Sequence, residues 1–362
     1  MANKITMQQI ADRLGVSKFV VSKALSGKDG VSEATRERVL QAASQLGYFA
    51  QKNAYMKSIK LEQLPKVPAD RRQSALVLMP NIRFQTKDSV YWGRIVDGIS
   101  ARLEEKGLGI LIVSEQSVDR FVHILNPNGL LGLIGVGEIT APLLLETHRI
   151  GLPIVLVDHE DALIPSDTLF ANNYESMYRL VQYLIGLGHR KLVFVGDTNY
   201  SRSFHDRYLG FRSAVEELEG ARRPGGGGGA SALDELLLPV QGLEPAQFEE
   251  AIGQWADKKR KQKSLPTALV CANDAIAIGA VKALQALGLD VPGDISVSGF
   301  DNIADASGVK PALTTVHVPK EALGRRAVDR LLERTERKDE PKEKILLACE
   351  LLLRGSTAAA RG

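Results

Sequence analysis

Three short segments of helical periodicity open the chain. In residues 7–14, MQQIADRL, Ile10 and Leu14 stand four apart and share one face. Thr6 lies just before this segment and Gln9 three residues after Thr6, the spacing of a capping box. Gly15 stops the helix and Val16 turns inward. Ser17 caps the next segment, KFVVSKAL, whose apolar stripe is Val20, Val21, Ala24 and Leu25. Lys18, Phe19, Ser22 and Lys23 are left on its other faces. Ser32 caps a third segment, EATRERVLQAASQLG, with Val39, Leu40, Ala43 and Leu46 inward and Gly47 as its stop. Two short helices around a tight Leu-Gly-Val turn, closed by a third, predict a helix-turn-helix.

After FAQKNAYMKSIK comes LEQLPKVPADRR, whose two prolines and mixed charges predict an extended linker. From Ser74 the pattern changes. Continuous apolar runs (SALVLMP, GILIVS, LLGLIGVG, PIVLVD, KLVFVG, ALVCAND, ISVSGFD) alternate with helical stretches such as VYWGRIVDGISARLEEKG and AIAIGAVKALQALG. Such runs, buried on both faces, are the mark of parallel sheets covered by helices. The number of alternations fits one large sheet or two similar subdomains. ARRPGGGGGASAL reads as a linker-like insertion, since its glycines lack the Gly-Lys-Ser/Thr of a phosphate loop.

Composition adds class and partner. The chain has 362 residues, enough for two or three domains, with 44% hydrophobic and 25% charged residues, ordinary for a water-soluble protein. No apolar run approaches the ~18 residues of a membrane span. MANKITMQQIADRL has no apolar signal region, so a cytoplasmic location is expected. Cys271 and Cys349 are predicted to be buried thiols, with neither a disulfide framework nor a metal cluster. Charge is unevenly spread. Residues 1–72 hold thirteen Lys/Arg against six Asp/Glu, a net +7 that leaves −4 for the rest of a chain totalling +3. A basic head on a mildly acidic body implies a polyanionic partner for the head. In a helix-turn-helix the second helix enters the major groove. Lys18 and Lys23 can there donate to guanine, and Phe19 can press on a thymine methyl. A small helical packing module is the plainer alternative, which the basic charge and capped turn disfavour.

The run ITMQQIADRLGVSKFVVSKALSGKDGVSEATRERVLQAASQLGY resembles the headpiece of the LacI/GalR family of bacterial repressors. The matching pieces are I-A-x-x-x-G-V-S, V-S-K-A-L-S-G, V-S-x-x-T-R-x-R-V and L-G-Y. Further matches are LGHRKLVFVG, R-Y-L-G-F, CANDAIAIGAVKALQALGLDVPGDISVSGFDN, LTTVHVP and the terminal RGST, so the resemblance covers nearly the whole chain. It implies a homodimer reading a near-palindromic double-stranded operator, with Lys18, Phe19, Ser22 and Lys23 meeting bases. Thr6, Ser17 and Ser32 are counted with them as DNA-binding candidates. It also implies a hinge helix ending in Ala-x-x-Leu, whose leucine wedges into the minor groove. Ala54 keeps its place, but Lys57 stands where the leucine belongs and Met56 lies one residue early. Met56 then serves as the wedge in a shifted frame, or the hinge tracks phosphates through Lys52, Lys57 and Lys60.

For the body the resemblance implies two Rossmann-like subdomains of the periplasmic-binding-protein type, clasping a small-molecule effector that shifts the angle between them. The expected organisation is a headpiece and hinge over 1–60, a linker over 61–72 and a sensor over 73–357. Within the sensor the N-subdomain takes about 73–170 and 316–341, and the C-subdomain about 171–315 and 342–357. Ligands in open parallel sheets bind at the carboxyl ends of strands. The resemblance places effector contacts at Asn81, Asp158, Arg207, Asn273 and Asp301, with Phe170 flanking. Arg207 is expected in the loop after KLVFVG, and Asp274 and Asn302 equally suit helix capping. Carboxylates and an arginine fork suit a polyhydroxylated ligand, so a sugar or sugar derivative is expected, with a nucleobase or other metabolite as the alternative. A constitutive DNA-binding protein, its sensor reduced to a dimerisation scaffold, is the competing class.

An enzyme is not expected. Gly135-x-Gly137 follows a strand and Asp158 lies about 20 residues on, as in a dinucleotide site, but Thr140 replaces the third glycine. No catalytic triad or zinc motif is present, and His189, beside Gly188, reads as a helix cap. No cofactor and no metal are expected, and no membrane partner.

Overall fold

The computed structural model describes residues 6–25, 31–32, 35–36, 38–39, 42–43, 74–82, 85–116, 118, 129–222, 236–241 and 245–361. The expected hinge residues Lys52, Ala54, Met56, Lys57 and Lys60, the linker and most of the glycine-rich insertion lie outside the described residues.

Helix α1 (Met7–Leu14) begins with the capping box that Thr6 and Gln9 predict: Gln9 N donates to Thr6 Oγ1 at 3.3 Å and Thr6 N to Gln9 Oε1 at 2.8 Å. It ends at Gly15, whose φ of 65° is the left-handed conformation that lets the next helix start after two residues. Helix α2 (Lys18–Leu25) is capped by Ser17 Oγ, which accepts from Val20 N. Ser32 Oγ accepts from Thr35 N at the start of the third helical stretch. Ile10, Ala11, Val21, Ala24, Val39 and Ala43 are wholly buried together, with Met7, Leu14, Val16 and Leu25 packed around them. Full burial of an aliphatic side chain contributes about 1.5–3 kcal/mol, so this small core rests on very few residues.

The chain divides into two compact units, 1–86, 99–168 and 326–343 in the first, 87–98, 169–325 and 344–362 in the second. The first contains parallel strands β1 (Ser74–Leu78), β2 (Gly109–Val113), β3 (Leu130–Val136) and β4 (Ile154–Val157) in the order β2-β1-β3-β4. Every residue of β3 and β4 is buried, as their unbroken apolar runs require. Helix α3 (Trp92–Glu105) starts in the second unit's share and ends in the first's, and α4 (Ala141–Ile150) packs Leu143 and Leu144 into the first unit's core. Gly135 and Gly137 have packing reasons. A Cβ at Gly135 would meet Ile139 and Leu156, and one at Gly137 (φ +71°) would lie 2.7 Å from Oε1 of buried Gln85.

Strand β5 (Asp167–Ala171) leads into the second unit. Its parallel sheet is β7 (Leu237–Leu238), β6 (Leu192–Val195), β8 (Ala268–Cys271) and β9 (Ser296–Ser298) in that order. Its helices are α5 (Asn173–Gly186), α6 (Arg202–Arg222), α7 (Pro245–Lys261), α8 (Asp274–Ala286) and the short α9 (Asp305–Gly308). Strand β10 (Thr315–His317) pairs antiparallel with β12 (Glu350–Leu352). Helix α10 (Lys320–Glu336) and strand β11 (Lys344–Leu347) complete the chain's elements. The sequence puts the crossings near 170, 315 and 342, and the units change over at 86/87, 98/99, 168/169, 325/326 and 343/344. The changeover at 325/326 leaves the first turn of α10 in the second unit, where Lys320 is bonded to residues 301 and 302. Among the described residues no helix is long and apolar enough to cross a membrane.

Candidate functional site

The headpiece presents one face of α2. Lys18, Phe19 and Ser22 are exposed and Lys23 half-buried, an i, i+1, i+4, i+5 set on the side away from Val21 and Ala24. Phe19 is 68% exposed, an uncommon placement for an aromatic ring, and Lys23 Nζ lies 5.0 Å from its centroid. This cation–π pair at i, i+4 stiffens both side chains before any partner arrives. Thr6, Ser17 and Ser32 spend their oxygens on backbone N–H groups at helix starts, where the helix dipole places partial positive charge.

In the first unit, Asn81 is exposed just beyond β1, and its carbonyl accepts from Gln116 Nε2 at 2.6 Å. Asp158 follows β4 with φ 55° and is half-buried. Gln85 ties the loops together there, donating to Glu138 O and accepting from Glu138 N.

The second unit holds a buried polar centre. Arg207 lies in the second turn of α6, not in a loop as expected, because Ser201 caps that helix by accepting from Phe204 N. Only 2% exposed, Arg207 donates from Nε to Asn173 Oδ1 (2.9 Å), from one terminal nitrogen to Ala272 O (2.7 Å) and from the other to Asp301 Oδ1 (2.9 Å). Its guanidinium plane lies 3.8 Å from the Phe300 ring centroid. Fork and face are thus both fixed. The Asp301 side chain keeps 11% of its surface exposed. Burial pushes the Asp301 carboxyl above its ordinary range, with the charges of Arg207 and Lys320 pulling the other way. Phe170 is buried in β5, with the Arg202 guanidinium 4.9 Å above its ring. Asn273 caps α8 through Ile276 N at 3.0 Å.

Three partners, Asn173, Lys320 and Asp167, escape sequence reasoning, and a fourth, Asp274, has another role than the capping expected of it. Asn173 orients Arg207 and also donates to Ala171 O and Ser203 Oγ. Asp274 is wholly buried behind Asp301, accepting from Ile303 N and Thr315 Oγ1 rather than capping its helix. Lys320 is 4% exposed at the start of α10. Asp167 is fully buried against Arg330 and Arg334 in the first unit. One signal was available for Lys320: a cation opening a helix has the wrong sign for its dipole. His189 does not cap its helix by its ring, which instead meets Ala358 O at 3.0 Å; Arg190 reaches the helix carbonyl of Ile185. Cys271 is a free, buried thiol whose pKa burial raises, and Cys349 is free and half-buried. Among the described residues no group of His, Cys, Asp and Glu is placed to hold a metal ion.

Residues 6–51 match the family model of bacterial regulatory proteins of the lacI family, and residues 181–357 that of a periplasmic binding protein-like domain. The HTH-type transcriptional repressor PurR of Proteus mirabilis (strain HI4320) is 30% identical over 362 residues, 98% of this chain and 97% of that protein. A transcriptional regulator CelR–cellobiose complex has the same fold, with TM-score 0.68, 22% identity, and coverage of 97% of this chain and 99% of that one. So does a lac repressor dimer bound to operator and the anti-inducer ONPF, with TM-score 0.65, 22% identity, and coverage of 99% and 100%.

Proposed function

The chain belongs to the LacI family of bacterial regulatory proteins, and we propose that it is a cytoplasmic homodimeric repressor whose operator affinity is set by a sugar or sugar derivative. It is a DNA-binding transcriptional regulator and not an enzyme. Two headpieces lay their α2 helices in successive major grooves of a near-palindromic site, with Lys18, Phe19, Ser22 and Lys23 toward the base edges. Lys52, Ala54, Met56 and Lys57 follow as hinge contacts to backbone or minor groove.

The observation that carries the effector reading is the buried pair of Arg207 and Asp301 near the carboxyl ends of β8 and β9. Burying two charges costs several kcal/mol per ion, and an apolar pair of the same volume often does as well for stability. A fork held on three sides, facing a carboxylate that stays partly accessible, is better accounted for by recognition. Vicinal hydroxyls offer the paired donors and acceptors such a site engages. Asn81, Asp158, Phe170 and Asn273 supply further contacts. Coupling between effector and operator sites of this kind is typically ~1–3 kcal/mol.

A thermal-shift screen with ribose, cellobiose, other sugars and nucleobases tests the reading on the wild type and on Asp301→Asn. A sugar should raise the melting temperature of the wild type and change its operator affinity, and do neither in Asp301→Asn. A response to nucleobases alone would replace the sugar. Equal shifts in both proteins would move the site away from Asp301, and no response to any compound would favour a dimerisation scaffold.

A further inference from the structure

The backbone carrying Asp301 is unusual. Asp301 has φ 106° and Asn302 φ 50°, two consecutive non-glycine residues in the left-handed region. That conformation is strained for residues with a Cβ and persists only where its surroundings enforce it. Asp301 N is held by Val316 O at 2.9 Å, which fixes one side of the turn. On the other side the Asn302 side chain accepts from Arg354 at 2.8 Å and lies 3.0 Å from His317 Nδ1, while the backbone carbonyls of Asp301 and Asn302 are bonded by Lys320. Its ammonium donates to Asp301 O at 2.5 Å, to Asn302 O at 3.3 Å and to Val318 O at 3.3 Å. Those three carbonyls account for all three of its hydrogens.

The location is costly for a cation. Lys320 opens α10, where the helix dipole repels positive charge, and burial lowers its pKa from the ordinary lysine value. A lysine kept there against both effects, bonded to the carbonyls of the two strained residues, has a use that helix formation does not supply.

We infer that Lys320 is a positioning residue for effector recognition: its ammonium clamps the Asp301–Asn302 turn and so aims the Asp301 carboxylate at Arg207. The inference rests on the reading that the effector meets the Arg207–Asp301 pair. Without the clamp, the turn relaxes toward ordinary φ values, the carboxylate swings with it, and Arg207 loses its partner at 2.9 Å.

The test is the crystal structure of full-length Lys320→Met without added ligand, joined to calorimetry with ribose, cellobiose and hypoxanthine as probes. Asp301 should leave the left-handed region and the Arg207–Asp301 contact should open beyond hydrogen-bond distance. Any probe that binds the wild type should bind Lys320→Met at least tenfold more weakly, while operator affinity without probe stays within twofold. Should Lys320→Met fail to fold, Lys320→Arg keeps the charge but cannot bring three hydrogens from one nitrogen, and gives the same two readings. An unchanged Asp301 φ with the contact intact overturns the inference, as does unchanged probe affinity. If no probe binds the wild type, the effector reading fails, and the crystal structure still decides the role of Lys320.

Discussion

Replacing Asp274 by Asn should change how stability depends on pH. Asp274 is fully buried at the start of α8, and Gly299 makes room for it, since a Cβ there would lie 2.2 Å from Oδ1. Burial first, and the charge of Asp301 second, push its pKa from 3.8 up to about 7. Below 3.8 both folded and unfolded chains hold the proton, and the group contributes nothing. Between 3.8 and about 7 the unfolded chain has released the proton while the folded chain keeps it, so stability falls as pH rises. At ~1.4 kcal/mol per pH unit, three units amount to a penalty of ~4 kcal/mol, complete above pH ~7. Asn removes that ionisation and keeps the bonding: Oδ1 accepts from Ile303 N, and Nδ2 donates to Thr315 Oγ1, which turns from donor to acceptor. Urea unfolding of both proteins from pH ~5 to ~8 measures the effect. The stability gained by Asp274→Asn should grow by ~1.4 kcal/mol per unit up to pH ~7 and then level off. His189 and His317, whose pKa values burial lowers, titrate in both proteins and cancel in the difference. A difference that does not vary with pH would show that the carboxyl ionises normally and would refute the reasoning.

Two further outcomes are expected. Asp167→Asn strips the charge facing buried Arg330 and Arg334, and should destabilise the protein by ~3–5 kcal/mol in urea unfolding at neutral pH; a loss below ~1 kcal/mol would show that the arginines find other acceptors. Lys23→Ala should cost ~1–3 kcal/mol of discrimination at the base pair it meets, measured by binding across operator variants, whereas an equal loss on every sequence would make Lys23 a phosphate contact.

What the sequence revealed divides by range. Thr6, Ser17 and Ser32 are legible because a cap is decided by residues three apart, and the parallel strands because burial on both faces leaves an unbroken apolar run. Arg207 is legible as a residue but not as part of a helix, since DTNYSRSF reads as turn-forming and does not show that Ser201 caps. Lys320 and Asn173 are not legible because their partners lie 19 and 34 residues away, and Asp274 reads only as a helix cap because Thr315 lies 41 residues away. Apart from its place at a helix start, nothing local marks Lys320 as the partner of Asp301 O. Gly135 and Gly137 show the opposite error, a motif with a local look of cofactor binding whose glycines answer to Ile139, Leu156 and Gln85.

Asp167 and Asp301, two buried carboxylates that face arginines, differ in how far the chain provides for them. Asp167 accepts from Arg334 Nε and a terminal nitrogen at 2.8 Å each, from Arg330 at 3.1 Å and from Glu343 N at 2.8 Å. Burial pushes its pKa up, but the bonds from Arg334, Glu343 N and Arg330 outweigh that and hold it below the ordinary carboxylate range. Its demand for hydrogen bonds is met from within the chain, and no surface of it is left for anything else. Asp301 is nearly as deeply placed and accepts from Arg207 at 2.9 Å, yet its pKa is raised, with burial the largest cause. The folded chain under-provides for this carboxylate and leaves part of it accessible. A ligand hydroxyl or N–H directed at it therefore relieves a cost already present in the unliganded protein, and that relief adds to the affinity. The same relief favours whichever backbone arrangement best presents Asp301. On the proposed reading, this is how an effector that meets Asp301 biases a conformational equilibrium.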